Sequence, residues 1–539
     1  MSSNTKSDES LAFALNQFKT CAEEHEECNK ARDANWLPTR LIDVGEGLAD
    51  TGTVRLVLTK DLERSTGYCT LSHCWGTKEF LKLKQENLDS FISEIPIESL
   101  PKTFRDSLFV ARKLGLRYIW IDSICIIQDD PNDWLNEASQ MHEVYANSLC
   151  NICATGSQDS SGGLFVDRDP TAFRSCDVRI PWLGDGGRFR LYDLVMWRTE
   201  VIEAPLNRRA WVVQEHLLSP RQLHFGSLQI LWECLHASAA EQFPHGLPKA
   251  IPNLSHASRQ QLHNIRYNAN DDGDAAAASR ERTVMHSSWS TIVERYMQCS
   301  LSHACDKVIA FSGIARRFEA IMKDECVAGL WRENMENGLL WHVEYCRQAG
   351  DSAPSTRPSP YRAPSFSWMS VDGAVNLISY QPPNEDEEKL IKLLSVDISE
   401  SRGVIAPGSF IQLECSLRPL KLRRHVSPSG VMWLPRFRQG KPELGYGLSM
   451  ANAVLMDVDR DYGDDIYYCV PAKGKFAEVF LAGIVLQETG KRVGEFERIG
   501  FFQAGGEHKQ LLLSLYGDED TYPCESYDGV TGKHIISIV

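Results

Sequence analysis

The sequence predicts an α/β protein, with a parallel-sheet core followed by a helical middle region and a β-rich C-terminal region. Three observations carry that prediction. From Leu71 the chain alternates strand, loop, helix, strand, helix, strand, the order of a parallel sheet covered on both faces. Residues 100–154 hold an amphipathic helix, the apolar run Tyr118-Ile119-Trp120-Ile121-Asp122-Ser123-Ile124-Cys125 and a second amphipathic helix. Beyond Leu377, runs such as Phe410-Ile411-Gln412-Leu413-Glu414-Cys415 show the two-residue period of half-buried strands.

In chain order, residues 10–35 read as helical, 37–44 and 54–58 as strands, and Tyr68 begins the α/β core, which closes near Gly156. Residues 289–318 and 329–345 carry helical periodicity. Residues 268–282, where Asp-Asp-Gly-Asp precedes four alanines, and the Pro- and Ser-rich stretch 352–364 read as loops or linkers. No repeat of fixed period is visible, which disfavours solenoids and propellers. The expected division is therefore a flanking helix and strands over 1–67 and an α/β domain over 68–230, the latter made of the core 68–156 and a packing segment 205–225. A mostly helical extension over 231–375 and a β-rich region over 376–539 complete it.

Composition excludes several classes. With 43% hydrophobic and 24% charged residues over 539 positions, the chain has ample core for two to four domains. Lys+Arg 57 against Asp+Glu 72 leaves a formal charge of −15, and no basic run offers a phosphate-backbone patch, so nucleic acid is not an expected partner. The polar opening lacks an apolar signal core, and no stretch approaches the roughly 20 apolar residues of a membrane helix. A cytoplasmic location is expected, and the 16 cysteines are read as reduced thiols.

Cys21, His25 and Cys28 share one helical face, but three ligands without an evident fourth make an incomplete zinc site, and core packing is favoured with no metal expected. Cys150-x-x-Cys153 lies in a small, apolar context that suits a buried strand better than redox chemistry.

Acids and aromatics collect at the presumed strand ends. The run through Asp122, followed by Gln128, Asp129, Asp130 and Trp134, places polar groups where open α/β sheets hold ligands. In the helix that follows, Trp134, Ala138, Met141 and Tyr145 define the buried stripe, which puts Glu143 in solvent and Glu137 on the stripe's margin. A half-buried carboxylate beside an indole can hold a sugar hydroxyl or stabilise a developing cation. At Leu71-Ser72-His73-Cys74-Trp75-Gly76-Thr77, Trp75 offers a stacking plane and Gly76 a close backbone approach, although no dinucleotide or P-loop glycine pattern accompanies them. Ser72 and His73 lack a Gly-x-Ser-x-Gly elbow, which disfavours a hydrolase triad. Arg209 and Glu215, set among apolar neighbours, read first as a structural ion pair and second as residues lining the same cleft as Glu137.

These stretches, Tyr68-Cys-Thr-Leu-Ser-His-Cys-Trp-Gly76, Leu100 to Ser107 through Tyr118 to Asp130, Trp134, Glu137, Met141, Tyr145, and Arg209-Ala-Trp-Val-Val-Gln-Glu215 with Arg221, resemble the fungal heterokaryon-incompatibility (HET) domain. Cys21-x-x-x-His25-x-x-Cys28, Leu37-Pro-Thr-Arg-Leu41, Ala328-Gly-Leu-Trp331 and Tyr361 to Trp368 also look like members of that family. The resemblance implies a role in fungal non-self recognition and programmed death of fused cells. HET domains are in turn distantly similar to TIR domains, which implies a flavodoxin-like core and cleavage of NAD to nicotinamide and ADP-ribose through one glutamate. Trp134-Leu-Asn-Glu137 looks similar to the tryptophan-plus-glutamate stretch of those enzymes. Glu137 is thus the expected catalytic residue, with Ser72, Trp75, Gly76, Asp122 and Trp134 binding substrate. NAD is a substrate in this reading, with no cofactor, and self-association or an incompatibility partner protein is expected. The alternatives are a non-catalytic signalling module and an accessory role in a secondary-metabolite gene cluster.

Overall fold

The computed structural model describes the chain except residues 46–52, 174–175, 181, 183–186, 265–274, 344–354, 379–386, 402, 428–429, 438–453, 459, 464, 476–479, 506–511 and 514–520. It divides into two compact units. The first comprises Met1–Asn270, Cys299–Leu301 and Ile309–Arg317; the second comprises Asp271–Gln298, Ser302–Val308 and Phe318–Val539.

The first unit opens with α1 (Asp8–Glu24) and α2 (Glu26–Lys30), then β1 (Arg40–Asp43), β2 (Arg55–Leu58), β3 (Tyr68–Ser72), α3 (Leu88–Ser93), α4 (Lys102–Lys113) and β4 (Tyr118–Trp120). It continues through α5 (Asp122–Cys125), α6 (Pro131–Ala146), β5 (Cys150–Cys153), a hairpin of β6 (Cys176–Arg179) and β7 (Arg188–Leu191), α7 (Ala210–Leu218), β8 (Arg221–Phe225), β9 (Ile230–Cys234), β10 (Ser238–Ala240) and α8 (Leu254–Asn264). Its main sheet runs β10-β9-β8-β5-β3-β4-β1-β2. The middle four strands, β8, β5, β3 and β4, are parallel, and the outer pairs are antiparallel.

Every residue of β3 and β5 is buried, as expected where both faces of a parallel sheet are covered. Chain order along the parallel part is second, first, third, fourth, the flavodoxin-like order. Its consequence is positional. Connections leave β3 toward β4 on one side and return to β5 on the other, so the β3/β5 boundary is the topological switch point where open sheets hold ligands at their carboxyl ends.

Several expectations need correction. The strand expected to finish on Asp122 stops earlier: β4 ends at Trp120, and Asp122 opens the short α5, its carboxylate accepting the Ser123 amide at 2.6 Å. The segment 205–225 does more than pack, because it supplies α7 and the fourth parallel strand β8. The periodicity of 329–345 is not a helix. Ala328 and Gly329 both take positive φ, 49° and 86°, turning Cys326–Val327 back onto Leu330–Trp331, with only the short helix Met335–Gly338 beyond. A Cβ at Gly329 would also lie 2.8 Å from Trp368 Nε1. Apolar residues crowd there because Trp331, Leu339, Leu340 and Trp341 are all core. Residues 344–345 lie outside the described residues.

The helical middle is present as α8, α9 (Ala275–Met297) and α10 (Lys307–Met322). The four alanines expected in a loop instead start α9, consistent with alanine's helix preference, while 268–274 lie outside the described residues. Residues 355–364 are irregular, as expected. The second unit ends in an antiparallel-dominated sheet of eleven strands among the described residues, built over its own core of Leu420, Trp433, Tyr467, Leu481, Val485 and Phe502. Among the described residues no helix is long and apolar enough to cross a membrane.

Candidate functional site

Ser72, which ends β3, and Asp122, just past β4, lie beside Glu215. This glutamate lies on α7, a helix buried at Ala210, Val212, Val213, Gln214, Glu215, Leu217 and Leu218. A nearly all-buried helix carrying one carboxylate must satisfy it internally. Glu215 Oε2 meets the hydroxyl of Ser72, the last residue of β3. Ser72 Oγ accepts from Asn151 Nδ2 of β5 at 2.9 Å, and Asn151 Oδ1 accepts from Thr70 Oγ1 at 3.0 Å. Burial raises the Glu215 carboxyl to about 7, although the Arg209 charge and the Ser72 and Tyr145 hydroxyls pull it back and Asp122 adds to the rise. The group therefore changes charge near neutral pH.

Next to it, Trp75 donates Nε1–H to Asp122 Oδ2 at 2.8 Å, tying the end of the β3 loop to α5. Lys82 Nζ sits 4.9 Å from the Trp75 ring centroid. Arg209 Nη1 donates to the His73 carbonyl. The His73 ring, packed edge-on at 4.8 Å from Phe104, is pushed down to about 4 by burial and by Arg209, against the pull of Asp122, so it is neutral at pH 7. His73 Nε2 is buried without a hydrogen-bond partner among the described residues. Ser72 and Glu215 are 1% and 3% exposed, whereas Trp75, Asp122 and Arg209 are half-buried and form the outer side of the cluster.

Glu137 belongs to a different network. It is fully buried rather than marginal, and it accepts from Thr39 Oγ1 at 2.6 Å and Asn136 Nδ2 at 3.3 Å. Arg40 Nη2 of β1 lies 3.7 Å from its Oε1. That guanidinium also grips both Asp133 oxygens at 2.6 Å and the Cys125 carbonyl at 2.7 Å. Burial raises the Glu137 carboxyl, and Thr39 and Arg40 offset part of the rise. Glu143 accepts from Asn147 Nδ2 at 2.9 Å and is half in solvent, its side chain 44% exposed.

Of the other anticipated residues, Ser72, Trp75 and Asp122 join the Glu215 cluster. Gly76 adopts φ +71°, and a Cβ there would fall 2.4 Å from Asp159 Cβ, so the turn and the close approach require glycine. Trp134 packs edge-on against Trp211, ring centroids 6.3 Å apart, joining α6 to α7. Asp130 caps α6 by accepting the Asn132 and Asp133 amides, with Pro131 at the first helical position, and Asp129 accepts the Gln85 amide at 2.9 Å. Cys150 and Cys153 stand three apart on a strand and so face opposite sides of the sheet, which rules out a bond between them. Burial pushes Cys150 up to about 12 and Cys153 well above its usual range, as expected of inert core thiols.

Residues 68–215 match the family model described as heterokaryon incompatibility protein (HET). The chain carries a HET domain. The match begins at the first residue of β3 and ends at Glu215, so it spans the Ser72–Asp122–Glu215 cluster, whereas Thr39 and Arg40 precede it. Neither the curated proteins nor the solved structures contain a significant match to the chain.

One missing partner emerges away from this site. The face formed by Cys21, His25 and Cys28 does have a fourth member, Cys234 at the end of β9.

Proposed function

We propose that this HET domain is the effector of a heterokaryon-incompatibility response and cleaves the N-glycosidic bond of NAD, with Glu215 rather than Glu137 carrying the chemistry. The observation behind this reading is a buried carboxylate, raised to about 7, joined to Ser72 at the switch point of a flavodoxin-like sheet. The TIR-like resemblance supplies the expected substrate.

In this reaction Ser72 and Glu215 hold the nicotinamide-side ribose, and ionised Glu215 faces the positive charge that develops at its anomeric carbon. The bond from that carbon to the pyridinium nitrogen breaks, and both electrons go to nitrogen, releasing neutral nicotinamide. Water then bonds to the carbon and loses a proton, giving ADP-ribose. Asp122 holds Trp75 as a platform for a ring, and Trp75 takes the stacking role more readily than Trp134, whose indole is engaged with Trp211.

The near-complete enclosure of Ser72 and Glu215 favours a second reading, a non-catalytic signalling module in which this network fixes α7 on the sheet. Nicotinamide release from NAD separates the two, measured at low and high protein concentration to allow for self-association, beside a heat-killed control. Release that falls at least a hundredfold in Glu215→Gln and persists in Glu137→Gln supports the catalytic reading, a loss of the size expected when one charge-stabilising group is removed. Full activity in Glu215→Gln removes that residue from the mechanism. No release at either concentration from folded protein leaves the module reading.

A further inference from the structure

We propose that Cys21, His25, Cys28 and Cys234 bind one zinc ion in a closed structural site. The ligand atoms of these four residues all lie within 4.8 Å of one another. A tetrahedral zinc with Zn–S near 2.3 Å places its sulfurs about 3.8 Å apart, so each edge of this cluster needs at most about 1 Å of contraction. The His25 Nδ1 to Cys234 Sγ separation, 3.4 Å, already has the length of a tetrahedral edge.

Local structure brings the four together from distant parts of the chain. Cys21 occupies the last turn of α1, Cys28 lies in α2, and His25 is the junction residue, its φ of −96° and ψ of 91° breaking the helix between them. Cys234 ends β9, an antiparallel strand of the first unit's sheet. The three cysteines are fully buried free thiols, and three thiolates with one imidazole leave no coordination position for water, the signature of a structural rather than catalytic zinc.

The surroundings fit thiolates better than packed S–H groups. Buried Arg221 donates Nε–H to Cys21 Sγ at 3.1 Å, and the Ala237 amide donates to Cys234 Sγ at 3.3 Å. Donors aimed at sulfur are the outer-shell contacts that support zinc thiolates. Three thiolates and a dication carry a net charge of −1, which the Arg221 guanidinium neutralises. The His25 ring is held by stacking on His236 at 4.1 Å, and His236 Nδ1 is in turn 2.6 Å from Glu27 Oε1. Ordinary core cysteines would explain the burial alone but not an imidazole and two donors directed at the sulfurs. His216, His224 and Glu233 also converge, yet Arg259 Nη1, 3.2 Å from Glu233 Oε2, already supplies a cation there.

The zinc would fasten the α1–α2 arm to β9 independently of the strand-end cluster, so this proposal stands apart from NAD cleavage. The full-length protein, purified reduced and without chelator, is expected to contain one zinc per chain by elemental analysis. Zinc should be absent from Cys234→Ser, and stripping it should lower the melting temperature. Because that variant could fail to fold, cobalt(II) exchanged into wild type provides the second readout. Thiolate-to-cobalt charge-transfer absorption with tetrahedral ligand-field bands is expected, and His25→Cys should keep one metal while shifting those bands. Folded protein without metal and without a tetrahedral cobalt spectrum overturns the proposal. So does a disulfide between any two of the three cysteines in protein handled without air.

Discussion

Glu137 and Glu215 are buried carboxylates one helix apart in the same domain, and their surroundings differ. Glu137 faces β1, where Thr39 bonds it and Arg40 bridges it to Asp133 and to the Cys125 carbonyl. That network fastens α6 and α5 to β1. Glu215 faces the β3/β5 switch point, where hydroxyls from Ser72 and Tyr145 and the Arg209 charge surround it. Burial alone therefore does not mark a functional acid. A fixed guanidinium already bonded to neighbouring acceptors favours structure, whereas an acid that titrates near neutrality among hydroxyls at a switch point favours chemistry.

The sharpest way to break this comparison is to remove Arg40. Arg40→Ala leaves Glu137 and Asp133 without their cation and should destabilise the first unit by about 3 kcal/mol, the usual cost of orphaning a buried ion-pair partner. Calorimetry, which resolves separate transitions, would show it; an unchanged melting temperature would contradict the structural role assigned to this network.

Glu215 predicts a pH dependence of similar size. Folded Glu215 keeps its proton to about 7, whereas the unfolded residue loses it near 4.5. Between those values the folded state binds the extra proton, so stability falls as pH rises, by about 3 kcal/mol in full above the folded value. Glu215→Gln should abolish this decline, and an identical pH–stability profile in both proteins would sink the assignment. The proposed NAD cleavage uses the ionised form, so nicotinamide release should rise over the same range, opposing the stability trend.

Two smaller effects refine the contrast. Glu137→Gln retains the Thr39 bond and should cost about 1 kcal/mol of stability while sparing activity. Trp75→Phe loses the indole N–H donated to Asp122 and should raise KM for NAD about fivefold with kcat little changed, the equivalent of one ordinary hydrogen bond. A fall in kcat alone would instead place Trp75 in the chemical step.

Local sequence determined much of the molecule. The span of β3, the α6 stripe of Ala138, Met141 and Tyr145 and the alternating C-terminal strands were all legible, because each depends on neighbours within a few residues. Ser72, Trp75 and Asp122 could be placed at strand ends for the same reason. What tertiary structure alone decided is which distant groups meet. The helix pattern put Glu137 on the margin of the buried stripe, whereas the fold buries it fully, and only the sheet order showed Arg40 of β1 waiting for it. It likewise brought Glu215 from α7 to Ser72, and Cys234 from β9 to the Cys21–His25–Cys28 arm. Periodicity reports the face a residue presents; the partner across that face comes from another part of the chain, and only the packed sheet brings the two together.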